Sequence, residues 1–398
     1  MELRIGPPAT GLNFFHRPTL IAKLLRALKR GHVAFLGPRR TGKTSCLEEI
    51  KAHPEDFLPV LINLERHDTP EAWLASMLTG LRTALDQPQP HLSKFQVMLG
   101  RLQDRISKID LPVLGSVELA RPEKTSAWRK PADEFLALLV ETDAPVLFLL
   151  DEFPTFLKLV AAKSNREDVE SLLNWFRAAR HDLKDRQARF LVTGSIGLKG
   201  VVRKLGLAPA VNDFDTHDIP PLTEAEAHSL LETLAQDQLV PLTATGRETI
   251  LLLLGGNWPF LLQLFIAELQ DAAFAKAPTA GELEAVYRGK LVHGVRNTYC
   301  DNMFDRLPEV FPSAECQLAR EILKATCRTE TGLGREDFDS IHARLIPNDD
   351  LRAGLEDSLN HVLDTLKHDG YLHQHTTGAQ HTAFASRILR DFWRRKTS

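Results

Sequence analysis

The chain has 398 residues, more than one average domain, so two or three domains are expected. Hydrophobic residues make up 43% and charged residues 25%, and 49 basic against 52 acidic side chains leave a formal net charge of −3. That balance excludes a protein drawn as a whole to nucleic acid or to an anionic membrane, so any basic site must be local. Cys46, Cys300, Cys316 and Cys327 form no Cys-x-x-Cys pair, which argues against a zinc site or a disulfide framework. No apolar run approaches about 18 residues. The start, Met1-Glu2-Leu3-Arg4, lacks a signal-peptide core, and a cytoplasmic protein without membrane contact is expected.

In chain order, Leu20, Ile21, Leu24, Leu25 and Leu28 recur at helical spacing after Pro18, a residue suited to a helix's first turn. The apolar run 32–36 predicts a strand, and 45–50 can continue as a helix. A second buried strand is expected at 58–64, then a helix over about 70–85. Residues 86–131 break the alternation and read as an insertion, with an amphipathic stretch near 92–108 and a short hairpin around 113–119. A helix near 131–142, a strongly apolar strand at 146–150, a long helix around 165–184 and a strand at 190–193 follow. Strands without polar alternation, separated by helices, predict a parallel sheet covered on both faces. After about 222 helices take over, opening on Thr223-x-x-Glu226, a capping box. Pro308 and Pro312 mark a linker. Beyond it, helices near 313–327, 335–345 and 350–369 precede two short strands, 370–375 and 381–384, around a turn at Thr377-Gly378. Helices followed by a hairpin make a winged-helix pattern.

The chemistry concentrates early. Residues Gly37, Pro38, Arg39, Arg40, Thr41, Gly42, Lys43 and Thr44 spell a complete G-x-x-x-x-G-K-[ST] phosphate-binding loop between a strand and a helix. Backbone N–H groups of such a loop wrap a phosphate, and the helix N-terminus adds positive potential. Lys43 is placed to reach the β- and γ-phosphates and the Thr44 hydroxyl to ligate Mg²⁺. The 146–150 strand ends in Asp151-Glu152. Asp151 suits the hydration shell of that metal, and Glu152 is placed to orient and polarise the attacking water. Thr193 and Ser195, at the tip of the next strand, are candidates to report on the γ-phosphate, because ligands gather at the carboxyl ends of parallel strands. Cys46 reads as a small packing residue.

The loop Gly37–Ser45, the strand ending Asp151-Glu152 and Thr193-Gly194-Ser195 together resemble the archaeal-type ATPases of the STAND-related branch of AAA+ proteins. Phe15-His16-Arg17 is similar to that family's segment near the adenine, with His16 where the family has glycine. Gly255-Gly256-Asn257-Trp258-Pro259 is similar to its Gly-Gly-x-Pro lid element, with one extra residue. Asp369-Gly370-Tyr371-Leu372 and the ending Phe384–Trp393 are similar to its winged helix. The resemblance spans most of the chain outside 86–131. It implies an α/β fold: a P-loop AAA+ core with a parallel sheet (1–221), a helical lid (222–307) and a C-terminal winged-helix domain (308–398). It also implies ATP and Mg²⁺ as ligands, Arg17 and Pro259 near the nucleotide, and a switch that forms homo-oligomers on ATP binding and controls a protein partner or effector, in a setting of prokaryotic defence or stress. A neighbour's arginine often completes such sites, and Arg177 and Arg180 are candidates. ATP is favoured over GTP because no guanine-reading N/T-K-x-D segment follows the core strands.

Two alternatives stay open. Arg387, Arg390, Arg394, Arg395 and Lys396 against Asp391 give the tail a local charge of 5 − 1 = +4, which suits double-stranded DNA in an initiator or transposition regulator. The acidic stretch 349–357 is a poor groove reader. The other alternative is a binding module that holds nucleotide without hydrolysing it.

Overall fold

Parallel pairing of short apolar strands organises the first half of the chain. The computed structural model describes every residue except 86–91, 107–127, 164–165, 196–197, 295–296, 312, 346–355 and 375–380. The described residues group into two units. One holds His16–Leu36 and Lys43–Asp218, the other Met1–Phe15, Gly37–Gly42 and Ile219–Ser398.

In the first unit α1 (Pro18–Arg30) leads to β1 (Val33–Leu36), α2 (Lys43–Ala52), β2 (Leu58–Asn63), α3 (Pro70–Ala84), α4 (Ser93–Ile106) and α5 (Arg129–Thr142). Then come β3 (Val146–Asp151), α6 (Phe153–Lys163), α7 (Arg166–Asp182), β4 (Arg189–Gly194), α8 (Leu198–Lys204) and β5 (Asp215–Asp218). The sheet is wholly parallel, in the order β2-β3-β4-β1-β5. Strands β1, β3 and β4 are buried along their whole length, as central strands covered on both faces must be. Strand β2 alternates in burial and tolerates Pro59 because it lies at an edge. Around Trp73 an aromatic cluster fills one face: Phe176 meets its ring edge-on at 5.2 Å, and Phe190 meets Phe176 at 4.9 Å.

The parallel sheet expected from the sequence is present, with one strand more. β5 reads Asp-Thr-His-Asp, has no apolar residue and is mostly exposed. It pairs with β1 through its backbone, Val33 opposite Asp215 through Leu36 opposite Asp218, so hydrophobic periodicity carries no trace of it. The amphipathic helix of the insertion forms as α4; the hairpin expected around 113–119 lies outside the described residues.

The second unit contains α9 (Glu224–Asp237), α10 (Ala244–Leu254), α11 (Pro259–Ala272), α12 (Ala280–Val286) and α13 (Thr298–Asp305). The capping box forms as expected: Thr223 accepts from the Glu226 amide at 3.2 Å, and Glu226 accepts from the Thr223 amide at 2.8 Å. Helices Ser313–Thr326, Arg335–Leu345 and Glu356–His368 follow, then β6 (Leu372–Gln374) antiparallel to β7 (Thr382–Phe384), and the C-terminal helix Arg387–Thr397. The Thr377-Gly378 turn and most of the acidic stretch 349–357 lie outside the described residues.

The expected linker at Pro308 is instead helical. Pro308 opens the short helix Leu307–Val310, where its missing N–H costs nothing, and Leu307, Val310 and Phe311 are buried in the same hydrophobic cluster as Leu261 and Trp393. Met1–Phe15, expected with the core, belongs to this unit. The Arg4 amide donates to Gln263 Oε1 at 2.6 Å, and Leu3, Ile5 and Phe15 pack on the cluster. Among the described residues no helix is long and apolar enough to cross a membrane.

Candidate functional site

The carboxyl ends of β3 and β4 bring the predicted acids and hydroxyls together. Asp151 closes β3 and is 2% exposed. Its Oδ2 accepts from the Thr44 hydroxyl at 2.6 Å, and its Oδ1 accepts from the Thr193 hydroxyl. Thr44 sits in the first turn of α2 beside Lys43, which is itself buried. The sheet order explains the meeting: β4 lies between β3 and β1, so its tip is flanked by both. A buried carboxylate held by two hydroxyls is a hard oxygen donor set, the kind that suits Mg²⁺ and its waters. The residues therefore fit the metal that the phosphate loop calls for.

Glu152 follows at φ 57, a left-handed conformation that costs a non-glycine residue roughly 1–3 kcal/mol. Its amide donates to Asp151 Oδ1 at 3.1 Å. Its Oε2 accepts from Thr155 Oγ1 at 3.0 Å and from Ser195 Oγ at 3.3 Å. Thr155 was not among the predicted residues. A threonine three positions past an acid, at the start of a helix, is the signal that could have found it.

The phosphate loop divides at Gly42. Lys43, Thr44 and Ser45 open α2, while Gly37–Gly42 group with the second unit. Within that unit Thr41 Oγ1 donates to the Pro38 carbonyl at 2.8 Å, which tightens the turn. Arg40, at φ 63, lays its guanidinium over the Phe260 ring, 4.6 Å from the centroid, and burial lowers its pKa from the ordinary value. Pro38 lies so close to Gly370 that a Cβ there would come within 2.4 Å of the proline Cγ. Arg39 is exposed. Pro259 is the first residue of α11, immediately before Phe260.

The double glycine permits a close approach of two segments. A Cβ on Gly255 would lie 2.6 Å from Arg387 Cβ, and one on Gly256 would lie 2.9 Å from Ser386 Cβ. Ser386 caps the C-terminal helix by accepting from the Leu389 amide. The glycines thus seat the start of that helix against the end of α10.

Arg180 is corrected. Its side chain is fully buried, donates to both Asp213 oxygens at 2.7 Å, and lies 4.5 Å and 4.1 Å from the Phe176 and Phe214 ring centroids. Burial alone would raise the Asp213 carboxyl; the Arg180 hydrogen bonds and charge outweigh it and hold it below the ordinary value. Such a side chain cannot reach another subunit. Arg177, one helical turn earlier, is exposed. Arg17 is buried just before α1, near enough for its charge to act on Cys46. Burial pushes the Cys46 thiol up to about 12, so it packs and does not react. His16 stands 3.3 Å from Glu49 Oε1.

The basic tail is largely committed inside its own unit. Arg390 pairs with Asp391 at 3.0 Å, Arg394 Nε donates to the Cys327 carbonyl at 2.9 Å, and Lys396 meets Asp301 at 3.2 Å. Arg395 lies 4.8 Å from the Phe392 centroid. Ile388, Leu389, Phe392 and Trp393 are buried.

No family model matches the chain, and no curated protein does. Among solved structures the chain is similar to the Walker-type ATPase PABY2304 of Pyrococcus abyssi, with a TM-score of 0.60 at 17% identity, covering 98% of this chain and 99% of that one. It also matches the ORC2 protein of Aeropyrum pernix (TM-score 0.48, 14% identity, 96% and 94% covered) and the RuvB branch migration motor of Thermotoga maritima (0.41, 15%, 95% and 94%). Those two superpositions are too loose to carry a conclusion. The likeness to the Pyrococcus protein is one of fold, over nearly the whole length. The chain shares the α/β fold of that Walker-type protein, with a parallel core sheet followed by helices and a two-stranded hairpin near the C-terminus.

Proposed function

We propose that the protein is a Mg²⁺-dependent ATPase that works as a STAND-type conformational switch. The observation that carries this reading is the convergence of Thr44, Thr193 and the Glu152 backbone on Asp151, next to a complete phosphate loop. Lys43 would reach the β- and γ-phosphates; the resemblance implies that the amides of 37–42 wrap them and that Arg17 and Pro259 belong near the base. Thr44 and Asp151 would hold Mg²⁺, which supplies neutralisation of charge developing on the phosphates. Glu152 orients a water and draws its proton, and Ser195 and Thr193 fix the two acids that do this work. Phosphoryl transfer asks little covalent chemistry of the protein, so such positioning supplies most of the rate.

ATP is the favoured nucleotide on the family resemblance. A protein partner or effector is the expected output, with homo-oligomers forming on ATP binding and Arg177 the remaining candidate for a neighbour's arginine. The internal pairing of the tail cations disfavours double-stranded DNA as the partner.

The test is Mg²⁺-ATP turnover of the wild type, Lys43→Ala and Glu152→Gln across protein concentration, with and without double-stranded DNA. Lys43→Ala should lose binding, and Glu152→Gln should bind but turn over poorly. Wild-type turnover by Glu152→Gln would sink the role given to Glu152. Turnover per subunit that rises with concentration supports a site completed between subunits. Stimulation by DNA would overturn the choice of partner. Tightly bound, unexchanging nucleotide with no turnover would leave a binding module.

A further inference from the structure

Glu152 is held at both ends. Its backbone is pinned in the left-handed region by the bond from its amide to Asp151 Oδ1, and its side chain is pinned by two hydroxyls on one oxygen, Oε2. These hydroxyls come from different elements: Thr155 from the first turn of α6, and Ser195 from the residue after β4. Among the described residues no hydrogen bond reaches Oε1. Two donors on Oε2 fix the plane of the carboxylate and leave the other oxygen for a water. We propose that Thr155 is a positioning residue for the hydrolytic reaction: with Ser195 it brackets Oε2 of Glu152 and so aims Oε1 at the attacking water. The proposal rests on the ATPase reading above and adds a residue to it.

The competing account is local. A hydroxyl in the first turn of a helix bonded to the residue before that helix is a helix-end contact, worth a fraction of the stability of α6 and nothing to chemistry. The two accounts differ in what the bond does. Both use the bond to the Glu152 carboxylate, but a helix-end contact contributes to stability and leaves kcat alone, whereas a bracket contributes to kcat. Position is also decisive for this chemistry, because a misplacement of about 1 Å can cost about 100-fold in rate.

The experiment is a double-mutant cycle read in two ways. For turnover, Thr155→Val should lower kcat by about 10-fold with KM for Mg²⁺-ATP unchanged, and Thr155→Ser should return it to within about two-fold of wild type. In a Glu152→Ala background, Thr155→Val should lower the residual rate no further. For the nucleotide-free protein, the shifts in urea midpoint caused by Thr155→Val and Glu152→Ala should be non-additive, because both remove the same bond. An unchanged kcat in Thr155→Val overturns the proposal, as does an equal loss of rate in both backgrounds. If the wild type shows no turnover, the ATPase reading falls by itself, and the midpoints still decide: additive shifts overturn the bracket.

Discussion

The two ends of the parallel sheet are both lined with buried polar groups, and they use them in opposite ways. At the amino-terminal end, Arg189 Nε donates to the Leu28 carbonyl at 2.8 Å, and its Nη1 donates to the carbonyls of Leu183, Ala188 and Arg186. Arg180 is matched by Asp213 and the Ala210 carbonyl. His32 accepts from the Phe190 amide on Nδ1, which leaves Nε2 to donate to the Arg180 carbonyl at 3.0 Å. Burial pushes His32 down to about 4, so it stays neutral in ordinary conditions. Here the charges meet carbonyls or an opposite charge, with Arg180 Nη1 left without a hydrogen bond among the described residues, and the result is a clamp tying α1 and α7 to the strands. At the carboxyl end, Asp151 and Glu152 receive hydrogen bonds only from hydroxyls and a backbone amide among the described residues. Neutral donors orient the carboxylates without cancelling their charge, which is what the proposed metal and water require. Charges met by carbonyls or an opposite charge make a scaffold, and carboxylates held by neutral donors suit a site.

That contrast can be broken most sharply at Arg180. Arg180→Met should cost about 3 kcal/mol of unfolding free energy, the low end for a broken buried pair because Asp213 reaches solvent. Nucleotide binding per folded molecule should be kept, and chemical denaturation beside a binding titration measures both. A stable variant with damaged binding would reverse the roles given to the two ends.

The same end should make stability depend on acid. Below about pH 6.5 the unfolded chain protonates His32, whereas the folded protein does so only near pH 4. The contribution is intact above about 6.5 and is lost as pH falls toward 4, by up to about 3 kcal/mol. Denaturant midpoints of wild type and His32→Phe across that window check it. The variant should show a flatter slope.

Asp151→Asn probes the other end. It should lower Mg²⁺-dependent turnover by about 10- to 100-fold while moving the unfolding free energy by less than about 1 kcal/mol, since it removes a buried charge held by neutral donors. A large loss of stability would mean that this end is also scaffold. The smallest effect is expected at the phosphate loop. Arg40→Ala removes a half-buried stack on Phe260 and should cost less than about 1 kcal/mol. A matching loss in Phe260→Ala, with no added loss in the double variant, would tie the two.

Much of the carboxyl end was legible in the sequence. A phosphate loop needs glycines, a lysine and a hydroxyl at set spacing, and a buried strand that ends in two acids is rare enough to notice. The amino end was not legible. Arg189 and His32 flank apolar strands and look like the solvated charges that usually bound them; only the carbonyls of distant helices make them structural. Arg180 failed as a candidate for the same reason, because its helix turns it toward Phe176 and Phe214, which no spacing rule could say. Thr155 and β5 were missed because a single hydroxyl and a polar edge strand carry no periodic signal.

The sequence by itself determined the phosphate-loop motif, the parallel sheet and the run of helices with a late hairpin that follows it, since each depends on local spacing and hydrophobic period. Tertiary structure alone decided which cations are free and which are spent, why Gly255-Gly256 and Gly370 must lack side chains, and which hydroxyls hold the two acids. Those outcomes depend on distances between residues far apart in the chain, and only packing sets such distances.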